Sequence, residues 1–114
     1  MRTYVKNLFG RITVKILIVQ PGKRLSDQRH NNRSEWWRVL LGVATVELES
    51  PGKAPRTMTF QSGQTISIPQ GAWHRLGCAA SATTPVKVLE ISTGHFDEED
   101  IERRADDFGR STNQ

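Results

Sequence analysis

Residues 28–42 read QRHNNRSEWWRVLLG and residues 63–74 read GQTISIPQGAWH. The first stretch opens on a glutamine, a histidine and a glutamate and then alternates. Glu35, Trp37, Val39 and Leu41 take one side, and Trp36, Arg38 and Leu40 take the other. Period two marks a β-strand with one buried face. Side chains two apart on a strand share a side, so Gln28 and His30 project together. A tight turn of four residues then lets Glu35 begin the neighbouring strand. The second stretch ends a short strand, Thr65 to Ile68, at Pro69-Gln70-Gly71, and that turn delivers His74.

Further strands are expected on both sides of these two. Ile12 to Gln20 is β-branched and alternating, with Ile12, Val14, Ile16 and Ile18 on one face, and Pro21-Gly22 ends it. Gly42 turns the chain into Ala44 to Leu48, and Pro51-Gly52 precedes a strand near Thr57 to Phe60. Pro85 opens Val86 to Ser92, on which Val86, Val88 and Glu90 face one way. One short helix is expected over Glu98 to Ala105, acidic at its start as the helix dipole favours. Many short strands separated by glycine and proline predict an all-β sandwich or barrel.

With 114 residues the chain has the length for one compact domain, residues 1–114, with a core over about 7–105 and a tail over 106–114. No apolar run reaches the length of a membrane span, and the N-terminal stretch lacks a signal-peptide pattern. One cysteine, Cys78, excludes an internal disulfide. A cytoplasmic protein with no membrane partner is expected. The formal net charge is +4, but the cations are spread along the chain. No dense basic cluster with interleaved aromatics argues for nucleic acid.

The spacings of the two stretches are specific. Gly22 is followed by five residues, Gln28, one residue, His30, four residues, Glu35, six residues and Gly42. Gly63 is followed by five residues, Pro69, one residue, Gly71, two residues and His74. These resemble the two signature motifs of the cupin superfamily, with Gln28 and Cys78 at positions where the usual motifs have histidine and asparagine. The resemblance implies a cupin, a double-stranded β-helix or jelly-roll barrel, here with the short C-terminal helix. One amide oxygen, two imidazoles and one carboxylate could converge inside it. That donor set suits a divalent metal, Zn²⁺ first, with Mn²⁺, Co²⁺ or Ni²⁺ as alternatives.

A narrower resemblance covers roughly residues 7–110. Val14-Lys15, Pro21-Gly22, Ser26, Gln28, His30, Arg33, Glu35, Trp37 and Gly42 are followed by Ile68-Pro69, Gly71, His74 and Arg75. Residues 94–110 read GHFDEEDIERRADDFGR. These blocks resemble type II phosphomannose isomerases, the C-terminal module of bifunctional mannose-1-phosphate guanylyltransferases. In that family Gln, His, Glu, His is the expected zinc set, so Gln28 is family-like. The resemblance implies interconversion of mannose 6-phosphate and fructose 6-phosphate through an enediolate. It implies metal ligation by Gln28, His30, Glu35 and His74, and phosphate binding by Lys15, Arg33, Arg75 and Arg110. Glu90 is the candidate base. The family's HHH reads His30-Asn31-Asn32 here, its EHW reads Glu35-Trp36-Trp37, and Asn7 to Gly10 replaces its R-P-W-G. No guanylyltransferase segment is present, so nucleotide transfer is not expected of this chain.

Trp36, Trp37 and Trp73 could stack on a sugar, although Trp37 is expected in the core and Cys78 as a small buried residue. His95 matches no ligand position. A non-catalytic cupin that binds a sugar or nucleotide-sugar is the alternative, and a dioxygenase is disfavoured by Gln28. A homodimer is expected, with the apolar edge Ile12 to Val19 as its contact.

Overall fold

The computed structural model describes residues 2–6, 12–94 and 99–105. Ten strands lie along these residues: β1 Arg2–Lys6, β2 Ile12–Val19, β3 Asp27–Arg29, β4 Arg33–Leu41, β5 Val43–Glu49, β6 Arg56–Gln61, β7 Thr65–Ile68, β8 Trp73–Cys78, β9 Val86–Gly94 and β10 Glu102–Ala105. They form two five-stranded antiparallel sheets, in the orders β1-β2-β9-β4-β7 and β10-β3-β8-β5-β6. This is the all-β jelly roll that the motif spacing implied.

The register explains why one barrel holds both a core and a polar site. In the first sheet, Leu17, Val88 and Val39 form one inward row, and Val19 and Val86 extend it. The next inward row is Lys15, Glu90, Trp37 and Ile66, and the one after is Thr13, Ser92, Glu35 and Ile68. The interior therefore runs from aliphatic at one end to ionisable at the other. From the second sheet, Ala44, Val46, Leu48, Leu76 and Cys78 complete the aliphatic part. Val88 is fully buried in it, so Val88→Ala should cost about 2–3 kcal/mol of unfolding free energy in urea melts, from lost burial plus the cavity left behind.

The glycines of the two motifs set the turns. Gly22, Gly42, Gly63 and Gly71 all have positive φ, between 77° and 90°. At Gly42 a Cβ would also stand 2.7 Å from the carbonyl oxygen of Pro85, so backbone conformation and space both demand glycine.

Three expectations are corrected. First, no helix occurs among the described residues at the C-terminal side. Residues 102–105 form β10, which pairs with β3 through Glu102↔Arg29, Arg103↔Gln28 and Ala105↔Asp27. An eight-residue helix gains little on its own, whereas the open edge of β3 offers a ladder of backbone partners. Glu98, His95, Asn7 to Gly10, Arg110 and the expected tail lie outside the described residues.

Second, the strand that carries Glu35 is not the in-sheet neighbour of the strand that carries Gln28. β3 lies in one sheet and β4 in the other, and β7 and β8 are divided in the same way. Each motif turn carries the chain across the sandwich, and the two crossings meet where the Gly71 amide donates to the His30 carbonyl at 2.8 Å.

Third, β2 is not an edge strand, because it lies between β1 and β9. Its more apolar face, Ile12, Val14, Ile16 and Ile18, is turned outward, and Thr13, Lys15, Leu17 and Val19 are buried. Among the described residues, no helix is long and apolar enough to cross a membrane.

Candidate functional site

The crossings bring ligand-type side chains to the polar end of the barrel. His30 follows β3, Glu35 lies near the start of β4, and His74 is the second residue of β8. Their ligating atoms all lie within 4.8 Å of one another, and all three residues are buried. Glu35 Oε2 is 3.0 Å from His30 Nε2, and Glu35 Oε1 is 3.6 Å from His74 Nε2. The two imidazole centroids are 5.3 Å apart.

Each group is held from behind. His74 Nδ1 lies 3.0 Å from the Ala72 carbonyl oxygen, and His30 Nδ1 lies 3.1 Å from that of Asp100. A backbone acceptor at Nδ1 favours the proton there once Nε2 ligates a metal. Trp37 Nε1 donates to Glu35 Oε1 at 2.9 Å. Gln28 pairs across the strands with His74 and lines the same cavity. Its amide nitrogen donates to Ser26 Oγ at 2.9 Å, which leaves the amide oxygen as its ligand atom.

Electrostatics fit the same picture. Burial alone would raise the Glu35 pKa, but the neighbouring His74 and the hydrogen bond from His30 hold it well below the usual carboxylate range. Burial lowers the His74 pKa, and Glu35 offsets only part of that. An ionised carboxylate is the state in which Glu35 can ligate a divalent metal, and a lowered His74 pKa favours the unprotonated nitrogen that ligation needs. The donor set therefore fits a metal ion, by its chemistry and by its backbone supports.

The cavity that His30 and His74 line has a volume of about 70 Å³. Lys15, Arg33, Glu90 and Arg103 share its wall with Gln28, His30, Trp37 and His74. Arg33 Nη2 stands 3.2 Å from both ring nitrogens of His30, and Arg33 Nε is 3.9 Å from Glu35 Oε2. Glu90 is buried opposite Lys15 in the register. Burial first, then the charge of Glu35 and a hydrogen bond with it, push the Glu90 pKa well up, and Lys15 and Arg33 oppose this in part.

Of the four cations expected around a phosphate, the structure brings Lys15 and Arg33 to the cavity. Arg75 follows inward His74 and so points to the opposite face of β8, where its Nε donates to the Leu25 carbonyl oxygen at 2.8 Å. Arg110 lies outside the described residues. Arg103 was not anticipated. Its signal is the alternation of the last strand, in which Ile101 and Arg103 line the cavity and Glu102 and Arg104 pair elsewhere.

Of the tryptophans, Trp37 is 2% exposed and belongs to the core as expected, with one edge on the cavity. Trp36 lies on the outer face. Trp73 packs under Arg29 and Arg104, whose guanidinium carbons lie 4.7 and 4.5 Å from its ring centroid. Cys78 is buried and free, as expected of a small buried residue.

The sequence profile of the family described as mannose-6-phosphate isomerase C-terminal matches residues 4–107. The chain belongs to that family. It is 37% identical over 103 residues to alginate biosynthesis protein AlgA of Pseudomonas aeruginosa, a match covering 90% of this chain and 20% of that one. It is 40% identical over 98 residues to a mannose-1-phosphate guanylyltransferase of Sinorhizobium fredii, covering 85% of this chain and 18% of the relative. The chain thus spans about a fifth of the length of these curated relatives.

Among solved structures, the capsular polysaccharide assembling protein CapF of Staphylococcus aureus superposes with a TM-score of 0.74 at 17% identity, over 87% of this chain and 29% of that one. Oxalate decarboxylase of Bacillus subtilis, whose Mn(II) centres have been characterised, superposes with a TM-score of 0.68 at 23% identity, over 76% and 22%. These neighbours show the fold alone, a cupin barrel.

Proposed function

We propose that the domain binds one divalent metal ion, preferably zinc, through Gln28, His30, Glu35 and His74, and isomerises mannose 6-phosphate and fructose 6-phosphate. The observation that carries this reading is a buried His-Glu-His cluster whose two histidines share one cation-lined cavity with a second carboxyl, that of Glu90, of raised pKa. Bound there, the ion supplies Lewis acidity to the oxygens on C1 and C2. Glu90 moves the proton between C1 and C2. Its elevated pKa suits a group that must both take and return a proton near neutral pH. Arg33 and Lys15 hold positive charge beside the oxygen that becomes an oxyanion. Trp37 orients Glu35, and Ser26 orients Gln28.

The test combines elemental analysis of the purified protein with an assay of mannose 6-phosphate isomerisation. Turnover should disappear with chelator and return with Zn²⁺ or Mn²⁺. Metal-replete protein that turns over no hexose phosphate would instead favour the non-catalytic sugar-binding reading. The relatives' names, with alginate and xanthan among them, support a role in polysaccharide biosynthesis.

We also propose that two copies pair through the outer face of β2, β9 and β4. Val14, Ile91 and Trp36 form one outward row there, Ile16 and Leu89 begin the next, and Ile12, Ile18 and Trp36 are exposed. A largely apolar stripe of this kind is normally covered. Light scattering should give twice the chain mass for the wild type, and the chain mass for Ile16→Lys. A monomeric wild type would refute the pairing.

A further inference from the structure

We propose that Arg103, carried by β10, is the residue at the cavity mouth that binds the anionic end of the substrate. This rests on the sugar-phosphate reading above and adds to it the position of the phosphate.

The reacting carbons C1 and C2 must reach the buried candidate ligands and Glu90, so the phosphate at the far end of a hexose 6-phosphate lies toward the opening. Lys15 and Arg33 are buried at the inner part and engaged with the carboxylates and His30 there, whereas Arg103 is half-buried. It pairs across the strands with Gln28, which pairs in turn with His74, so the inward row Arg103, Gln28, His74 leads from the edge of the sheet to the candidate ligands. The Nε of Arg103 is buried and makes no hydrogen bond among the described residues. A guanidinium donor kept from water and unpaired at a cavity wall awaits an acceptor.

The alternate side chains of β10 hold this arginine in place. Glu102 pairs with Arg29, and Arg104 bonds Asp27 at 3.0 Å and Glu49 at 3.1 Å. The Asp100 carboxylate accepts from the amides of Asn31 and Asn32 at 2.8–3.1 Å. Its carbonyl oxygen meets His30. The segment that carries the arginine thereby also supports a candidate ligand, and the anion end and the metal end are set by one piece of chain. Arg103 acts here as a specificity residue for phosphorylated over neutral sugars.

Calorimetric titrations of metal-loaded wild type, Arg103→Gln and Arg103→Lys with mannose 6-phosphate, inorganic phosphate and mannose test this. Arg103→Gln should weaken both phosphorylated probes by roughly 10- to 100-fold, the range of charge-assisted hydrogen bonds, and leave mannose unchanged. Arg103→Lys should recover part of the loss. Metal content should match wild type in both variants. Equal phosphate affinity in wild type and Arg103→Gln overturns the proposal, as does a wild type that binds neither phosphorylated probe. Absence of isomerisation with phosphate binding still dependent on Arg103 counts only against the isomerase reading. Isomerisation indifferent to Arg103→Gln counts only against the placement of the phosphate.

Discussion

Glu35→Ala should abolish stoichiometric metal binding, and Glu35→Gln should reduce it sharply while the fold persists. Of the three clustered side chains the carboxylate is the anionic donor, and it faces two imidazoles and a guanidinium. Removing it should exceed the roughly 10- to 100-fold loss that follows from changing a group that merely orients a ligand. The two variants differ in what they leave behind. Alanine strips the Trp37 indole nitrogen of its acceptor at 2.9 Å, a buried donor whose isolation costs about 1–3 kcal/mol. Glutamine retains an oxygen for that donor and removes the charge. Metal content by elemental analysis, with unfolding melts of the chelator-treated proteins, separates the two effects. Full metal occupancy in Glu35→Ala would end the ligand assignment.

The same geometry shows which parts of the fold could be read from sequence. Gln28, His30, Glu35 and His74 keep fixed spacings from turns at Gly22, Gly42, Gly63 and Gly71, where positive φ favours glycine, so spacing was informative. The alternation within β4 and β9 placed Trp37, Val39, Val88 and Glu90 on the inner face, where they lie. The same alternation along β8 turns Arg75 away from His74's side, against the role that the family resemblance implies for it. In β2 alternation separates Ile12, Val14, Ile16 and Ile18 from Thr13, Lys15, Leu17 and Val19, but it does not show that the more apolar set is turned outward.

The acidic start of Glu98 to Ala105 is a local signal for a helix, yet residues 102–105 form β10. What holds the strand is distant in sequence: Arg29, Asp27 and Glu49 lie 73, 77 and 55 residues from their partners. Such pairs leave no periodic trace, and the crossing of each motif between sheets is non-local in the same way.

Glu90→Gln should lower kcat for isomerisation by roughly 10²- to 10⁴-fold, the usual contribution of a positioned acid–base group, with KM and metal content little changed. Glutamine keeps the size and a hydrogen-bonding end beside Glu35 but cannot exchange a proton. The same substitution should alter stability in a direction that the charge pattern fixes. Folded Glu90 keeps its proton above its ordinary value of 4.5, whereas the unfolded chain releases it there. Across that window the native state binds more protons than the unfolded one, so stability from this group is complete at low pH and is lost as pH rises through the folded pKa. Glu35, whose folded pKa is depressed, contributes in the opposite sense: its stabilisation is present above 4.5 and lost on acidification. In metal-free protein, urea melts between about pH 5 and pH 9 should therefore show wild-type stability declining toward the alkaline side and a flatter profile in Glu90→Gln. Unchanged kcat together with an unchanged pH profile would reduce Glu90 to a passive wall of the cavity. A flattened profile with full turnover would keep its buried proton but remove it from the chemistry, because a group that gives up a proton in every cycle cannot be replaced by an amide without loss of rate.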